Sequence, residues 1–246
     1  MELICGIDFE STGFSAEKDY ITEIGAALFD AKTWEVKDTF STFVKIPIPV
    51  PPEIIKITGI TDEMCASGLP IDEAISKFEL FQKNSKAFIA HNAPFDKSFY
   101  EAASPIVVNK PWYCSKEDLP HEGKRCKILS HLALDHGVNV DISKLHRALD
   151  DVLLMGQMLK VIGWTFSQLE DYSNEPWIYL AMADRKFDEK NNKEAREQGY
   201  GWEKCVGTYN PVFPKRWVKK CKASKLEEEK AKPCGFKREV ISQTTS

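Results

Sequence analysis

The sequence predicts an α/β domain built on a mixed sheet flanked by helices. Three observations point there. The chain opens on a run of strand candidates, later strand candidates alternate with helix candidates, and 246 residues with 43% hydrophobic content can bury a full core plus a smaller second unit. The first strand is ELICGID, residues 2–8, an apolar, β-rich run. Strands are also expected at about 20–29, 36–46 and 87–91, the last around AFIA, with a weaker one near 111–115. PIPVPP at 47–52 reads as an extended loop, because a residue before proline is pushed out of the α region. Helices are expected at about 72–84, 94–103, 127–137 and 147–162. Asn92 is placed to cap the second of these, with Pro94 in its first turn. The chain shows no repeat and no low-complexity segment.

Chemistry-bearing residues collect in three short segments. Asp8 and Glu10 lie two apart near the end of the first strand and so share a face, while Phe9 points the other way. Ser11-Thr12-Gly13 then turns the chain, with Gly13 permitting close backbone approach and Thr12 offering an amide and a hydroxyl to a nucleotide. HNAPFD brings Asp96 near a helix start, flanked by His91 and Phe95. HRALDD carries His146, Asp150 and Asp151. On a regular helix His146 shares a face with Asp150 rather than Asp151; if His146 and Asp151 act together, His146 must lie on the loop or first turn before the helix. Each segment alone is equally an acidic strand end, a helix favoured by a first-turn acid, or a surface His–Asp pair. Together they supply four carboxylates and one imidazole, a donor set suited to two divalent ions serving phosphodiester hydrolysis, with oxygen-preferring Mg²⁺ or Mn²⁺ as the metals.

These segments resemble the DEDDh, or DnaQ-like, 3′→5′ exonuclease family. DFESTG matches the first motif of that family, HNAPFD the second and HRALDD the third. ITEIGAALFD at 21–30 is similar to its second strand, and ITGITDEM at 57–64 to its HGIT loop, with Thr58 where that loop has histidine. The stretch from His146 to Pro176 resembles the exonuclease X branch of the family. The resemblance covers about residues 1–176 and implies an RNase H-like sheet. It implies that Asp8, Glu10, Asp96 and Asp151 hold two Mg²⁺ or Mn²⁺ ions, selecting Asp151 over Asp150, and that His146 is the general base. Phe9, Thr12, Gly13, His91 and Phe95 are then expected around the 3′-terminal nucleotide.

Charge divides the chain. Residues 1–180 hold 17 Lys+Arg and 27 Asp+Glu, a net of −10, whereas residues 181–246 hold 16 and 10, a net of +6. The organisation expected is an exonuclease domain at 1–176 and a small basic C-terminal appendage at 181–246. That tail interleaves its cations with Tyr200, Trp202, Tyr209, Phe213, Trp217 and Phe236, a composition suited to nucleic acid and equally to the core of a small module with solvated lysines. PKRWVKKCK at 214–222 offers Lys215, Arg216, Lys219 and Lys220 as candidate nucleic-acid contacts. The seven cysteines are an odd number without CxxC spacing, which suggests reduced thiols in a cytoplasmic setting and argues against zinc. No apolar run is long enough to span a bilayer, and no membrane partner is expected. The function expected is metal-dependent 3′→5′ hydrolysis of DNA to nucleoside monophosphates. An RNA-trimming enzyme of the same family and a non-catalytic nucleic-acid-binding module are the alternatives, and nothing in the sequence points to a protein partner.

Overall fold

The computed structural model describes residues 1–104, 106, 109–121, 126–182, 193, 195–197, 199–204, 215–232 and 238–244, with side chains except at 201–204, 215, 216, 220 and 241–244. The chain divides into two compact units, Met1–Glu170 and Asp171–Ser246.

The first unit is built on β1 (Leu3–Ser11), β2 (Ile21–Asp30), β3 (Val36–Phe43), β4 (Ser85–Ala90) and β5 (Trp112–Cys114), in the order β3-β2-β1-β4-β5. β1 is antiparallel to β2 and parallel to β4, so the sheet is mixed, as its strand and helix pattern predicts. Helices α1 (Pro52–Thr58), α2 (Asp62–Ser67), α3 (Ile71–Gln82), α4 (Ala93–Ala103), α5 (Leu129–Asp135), α6 (Ala148–Ile162) and α7 (Phe166–Asn174) complete the order.

The strand period of two sorts β1 between two cores. Cys5, Ile7 and Phe9 pack with Phe78 of α3 and with Phe99 and Tyr100 of α4. Ile4 faces the other way, with Phe29 of β2 and Val152, Met155 and Leu159 of α6. Asp8 and Glu10 have the parity of Ile4, so they project on the α6 side of the sheet. Helices thus cover both faces of the sheet, the layering of an α/β domain.

Three features depart from the sequence expectation. The region after PIPVPP is helical: Thr58 ends α1, Gly59 follows in the left-handed conformation at φ 70°, and the Thr61 hydroxyl caps α2 by accepting from the Met64 N–H. These helices have seven and six residues, too short for a periodic apolar stripe to announce them. Asn92 stands at the N-cap position of α4 at φ 95°, and its side chain makes no capping bond. The tail contains a four-stranded antiparallel sheet of order β7-β8-β6-β9, formed by β6 (Trp177–Met182), β7 (Gly201–Lys204), β8 (Lys215–Lys222) and β9 (Arg238–Thr244), with α8 (Leu226–Ala231) following β8. Its core gathers Ile178, Leu180, Tyr200, Trp217 and Cys221. Lys222 is buried there; its ammonium donates to the Ser173 and Glu175 carbonyls and lies over the Tyr172 and Trp177 rings.

Candidate active site

The carboxylates converge at the C-terminal end of β1. Asp8 pairs across the strands with Gly25 and Glu10 with Glu23, next to a bulge at Glu10/Ser11 that ends regular pairing. Asp96 arrives from the first turn of α4, is 1% exposed, and accepts a hydrogen bond of 3.0 Å from the Phe9 N–H. That bond ties α4 to β1 beside Asp8.

The third segment resolves the spacing of His146 and Asp151. α6 begins at Ala148, so His146 precedes the helix, in the left-handed region at φ 60°. Its N–H donates to Asp151 Oδ2 at 3.2 Å, folding the histidine back over the first helical turn. Ligand atoms of Glu10, His146 and Asp151 lie within 4.8 Å of one another. Asp150 instead approaches Lys144 at 4.0 Å.

Burial dominates the electrostatics, and the crowding of like charges around Asp8 and Glu10 adds to it. Burial pushes the Glu10 carboxyl up to about 8, with Asp151, Glu23 and Asp96 adding to it. Asp8 rises as well, through burial first and then the charges of Asp96, Glu10, Asp151 and Glu23. Burial raises Asp96 to about 8 against the pull of the Phe9 N–H, and raises Asp151 to about 6. Such a set is strained when fully ionised and relieved by cations, and carboxylates with one imidazole are donors that hard divalent ions accept. Asp8, Glu10, Asp96, Asp151 and His146 therefore fit a divalent-metal site.

The other sequence-predicted residues lie in varied places. The Phe9 ring is buried edge-on against Phe78 in the α3–α4 core, so its N–H rather than its ring meets the carboxylates. Thr12 shapes the turn: its N–H donates to the Tyr20 carbonyl and its hydroxyl accepts from the Tyr20 N–H, both at 2.9 Å. A Cβ on Gly13 would come within 2.6 Å of the Asp19 carboxylate, which is why glycine suits that position. Phe95 packs on Phe99 and meets the exposed Phe14 edge-on at 6.5 Å. His91 Nε2 lies 2.9 Å from the Lys127 carbonyl and must donate to it, so Nδ1 accepts from the Ser115 hydroxyl at 2.8 Å. Burial holds that imidazole down to about 4. The side chains of Lys215, Arg216 and Lys220 lie outside the described residues, while Lys219 forms a 2.7 Å ion pair with Glu229.

Glu23 is the residue the motifs did not single out. It is 2% exposed near the start of β2. A carboxylate in the otherwise apolar run of β2 was the available signal, since a buried charge requires a partner.

Residues 5–159 match the family model RNase_T, described as an exonuclease. The chain is 34% identical over 162 residues to the PolC-type DNA polymerase III of Clostridium perfringens, an alignment covering 62% of this chain and 11% of that polymerase. It is 35% identical over 152 residues to the DNA polymerase III subunit epsilon of Treponema pallidum, covering 58% of this chain and 68% of that subunit. The chain thus spans about a tenth of the first relative and about two thirds of the second. In fold it is similar to exonuclease X, solved in complex with 5′-overhanging duplex DNA, at 24% identity and a TM-score of 0.54, over 69% of this chain and 99% of that one.

Proposed function

We propose, from the premise that this chain belongs to the RNase_T exonuclease family, that it is a metal-dependent 3′→5′ exonuclease releasing nucleoside monophosphates from DNA. The observation that carries the reading is the convergence of Asp8, Glu10, Asp96, Asp151 and His146 from three separate segments on one end of the sheet. The relatives named as DNA polymerase III proteins and the DNA-bound exonuclease X support DNA as the substrate.

Asp8, Glu10, Asp96 and Asp151 would hold two divalent ions, Mg²⁺ or Mn²⁺, which would supply stabilisation of the negative charge that builds up during phosphodiester hydrolysis. His146, exposed at the edge of the cluster, accepts the proton of the attacking water, the work that histidine does most often in general base catalysis. The water oxygen bonds to phosphorus, the bond from phosphorus to the preceding 3′-oxygen breaks, and that oxygen takes up a proton from solvent as it leaves, while His146 returns the water's proton to solvent. The Thr12–Gly13 turn and the Phe14–Phe95 pair border the same strand end and supply polar and aromatic surface for the terminal nucleotide. The chemistry belongs to the N-terminal domain, about 1–176, and the basic module at 181–246 adds affinity for the nucleic-acid backbone.

The test is cleavage of 3′-labelled single-stranded DNA, duplex DNA and RNA, with Mg²⁺, with Mn²⁺ and with chelator. Metal-dependent shortening of DNA from the labelled end is expected. Efficient shortening of RNA alone would move the enzyme to the RNA-trimming side of its family. No cleavage of any substrate with either metal would leave a binding module and overturn the reading.

A further inference from the structure

We infer that Glu23 is a positioning residue, which sets His146 and Asp151 against Glu10 by anchoring Arg147 and the start of α6. The inference rests on the exonuclease reading and adds to it a residue outside the metal and substrate sets. Glu23 sits opposite Glu10 in the β1–β2 register, so a fifth carboxylate borders a cluster of four. Both of its oxygens are nonetheless engaged. Oε1 accepts from Arg147 Nη2 at 2.9 Å, and Oε2 accepts from Arg147 Nε and from the Ala148 N–H, each at 3.1 Å. With both oxygens so used, Glu23 is occupied in holding the helix rather than in reaching an ion.

The contacts fall where the chain needs them. α6 has no cap of its own, because Arg147 stands at the N-cap position and an arginine side chain has no acceptor. Glu23 supplies the missing acceptor from β2, satisfying a first-turn N–H that the helix cannot satisfy internally. The fork of two hydrogen bonds fixes the plane of the Arg147 guanidinium, which also lies over the Phe43 ring at 5.1 Å. His146 is therefore gripped from both sides: its own N–H binds Asp151, and the next residue is clamped to the sheet. This matters because His146 is held at φ 60°, a backbone region that a histidine leaves readily once unconstrained. Gly25 completes the dock. A Cβ there would fall 2.1 Å from the Leu149 nitrogen, so the helix start lies directly on β2 beside Asp8.

Wild type, Glu23→Gln and Arg147→Lys should be compared for steady-state cleavage of 3′-labelled single-stranded DNA with Mg²⁺, for thermal midpoint, and for amide exchange at residues 146–151. Both variants are expected to lose kcat by on the order of 10–100-fold, the scale on which a misplaced catalytic group costs rate, with KM within about twofold of wild type. Arg147→Lys is the sharper variant, because it keeps the charge beside Glu23 and removes the fork. Wild-type kcat in Arg147→Lys overturns the inference, as does a raised KM with kcat unchanged, which would make Arg147 a substrate contact. Should Glu23→Gln fail to fold, Arg147→Lys decides alone, its side chain being one-third exposed and tolerant of change. If wild type itself cleaves nothing, the functional reading falls and exchange decides the anchoring: faster exchange at 146–151 in Arg147→Lys supports it, and unchanged exchange overturns it.

Discussion

At the residue scale, the crowded carboxylates make a prediction about stability as well as rate. Glu10 and Asp96 are pushed up to about 8 and Asp151 to about 6, against ordinary values near 4. The metal-free native state therefore holds protons that the unfolded chain releases. The resulting stabilisation is complete below about pH 4 and is lost as pH climbs through about 6 to 8. Chelated protein should show a thermal midpoint that falls across that window, and added Mn²⁺ should raise the midpoint more at pH 8 than at pH 5. A chelated midpoint that rises steadily from pH 5 to 8 would contradict the clustering. Asp8→Ala or Asp151→Ala should remove nearly all cleavage, a loss of several orders of magnitude, while circular dichroism stays native. His146→Ala should lower kcat by ~10²–10⁴-fold with Mn²⁺ affinity by calorimetry largely kept. A loss of affinity equal to that of Asp8→Ala would make His146 a ligand, which its place beside Glu10 and Asp151 permits. Asp150→Ala should be mild, since Asp150 approaches Lys144 and is not part of the group formed by Glu10, His146 and Asp151.

At the scale of elements, the site depends on how closely α6 lies on β2. Gly25 and Gly59 make a contrast that measures it. Gly25→Ala would drive a methyl group into the backbone of Ala148 and Leu149, which has no flexible end to yield. We expect a loss of ~1–3 kcal/mol or more in urea unfolding together with a fall in kcat. Gly59→Ala meets no atom within 4 Å and suffers only from its left-handed backbone, about 1 kcal/mol, with kcat unchanged. Equal effects of the two changes on kcat would show that the α6–β2 contact does not govern the site.

At the scale of the whole molecule, the acidic and basic parts coincide broadly with two different sheets. The mixed sheet carries the candidate catalytic residues, and the antiparallel one carries the basic strand KRWVKKCK. Lys219 is separated from the other candidate contacts by its ion pair with Glu229, which is almost buried. Its replacement by Ser should therefore lower the thermal midpoint. Replacing Lys215, Arg216 and Lys220 by Ser should instead weaken binding to single-stranded DNA and make the plot of log affinity against log salt shallower, by up to ~0.7 per lost phosphate contact. An unchanged salt slope would make these lysines and arginine a solvated face of the small sheet.

What the sequence determined by itself was local. The period of two along β1 set Asp8 and Glu10 on one face, the long apolar stripe from Ala148 announced α6, and the three motif segments offered the candidate donors. Short elements escaped it, since α1 and α2 are too brief to show a period. The strands of the tail escaped it because strand preference depends on what a residue packs against, and β8 mixes basic and apolar residues without the period-two alternation of a strand, a composition that also suits a solvated patch. Only the tertiary structure decided that the Phe9 ring belongs to the core, that His91 is held between Ser115 and Lys127, and that His146 stands before the helix, close enough to share Asp151 with Glu10. Glu23 illustrates the reason. Its partners are more than 120 positions away, and a pairing between a buried carboxylate and a distant helix start leaves no spacing in the chain for a reader to find.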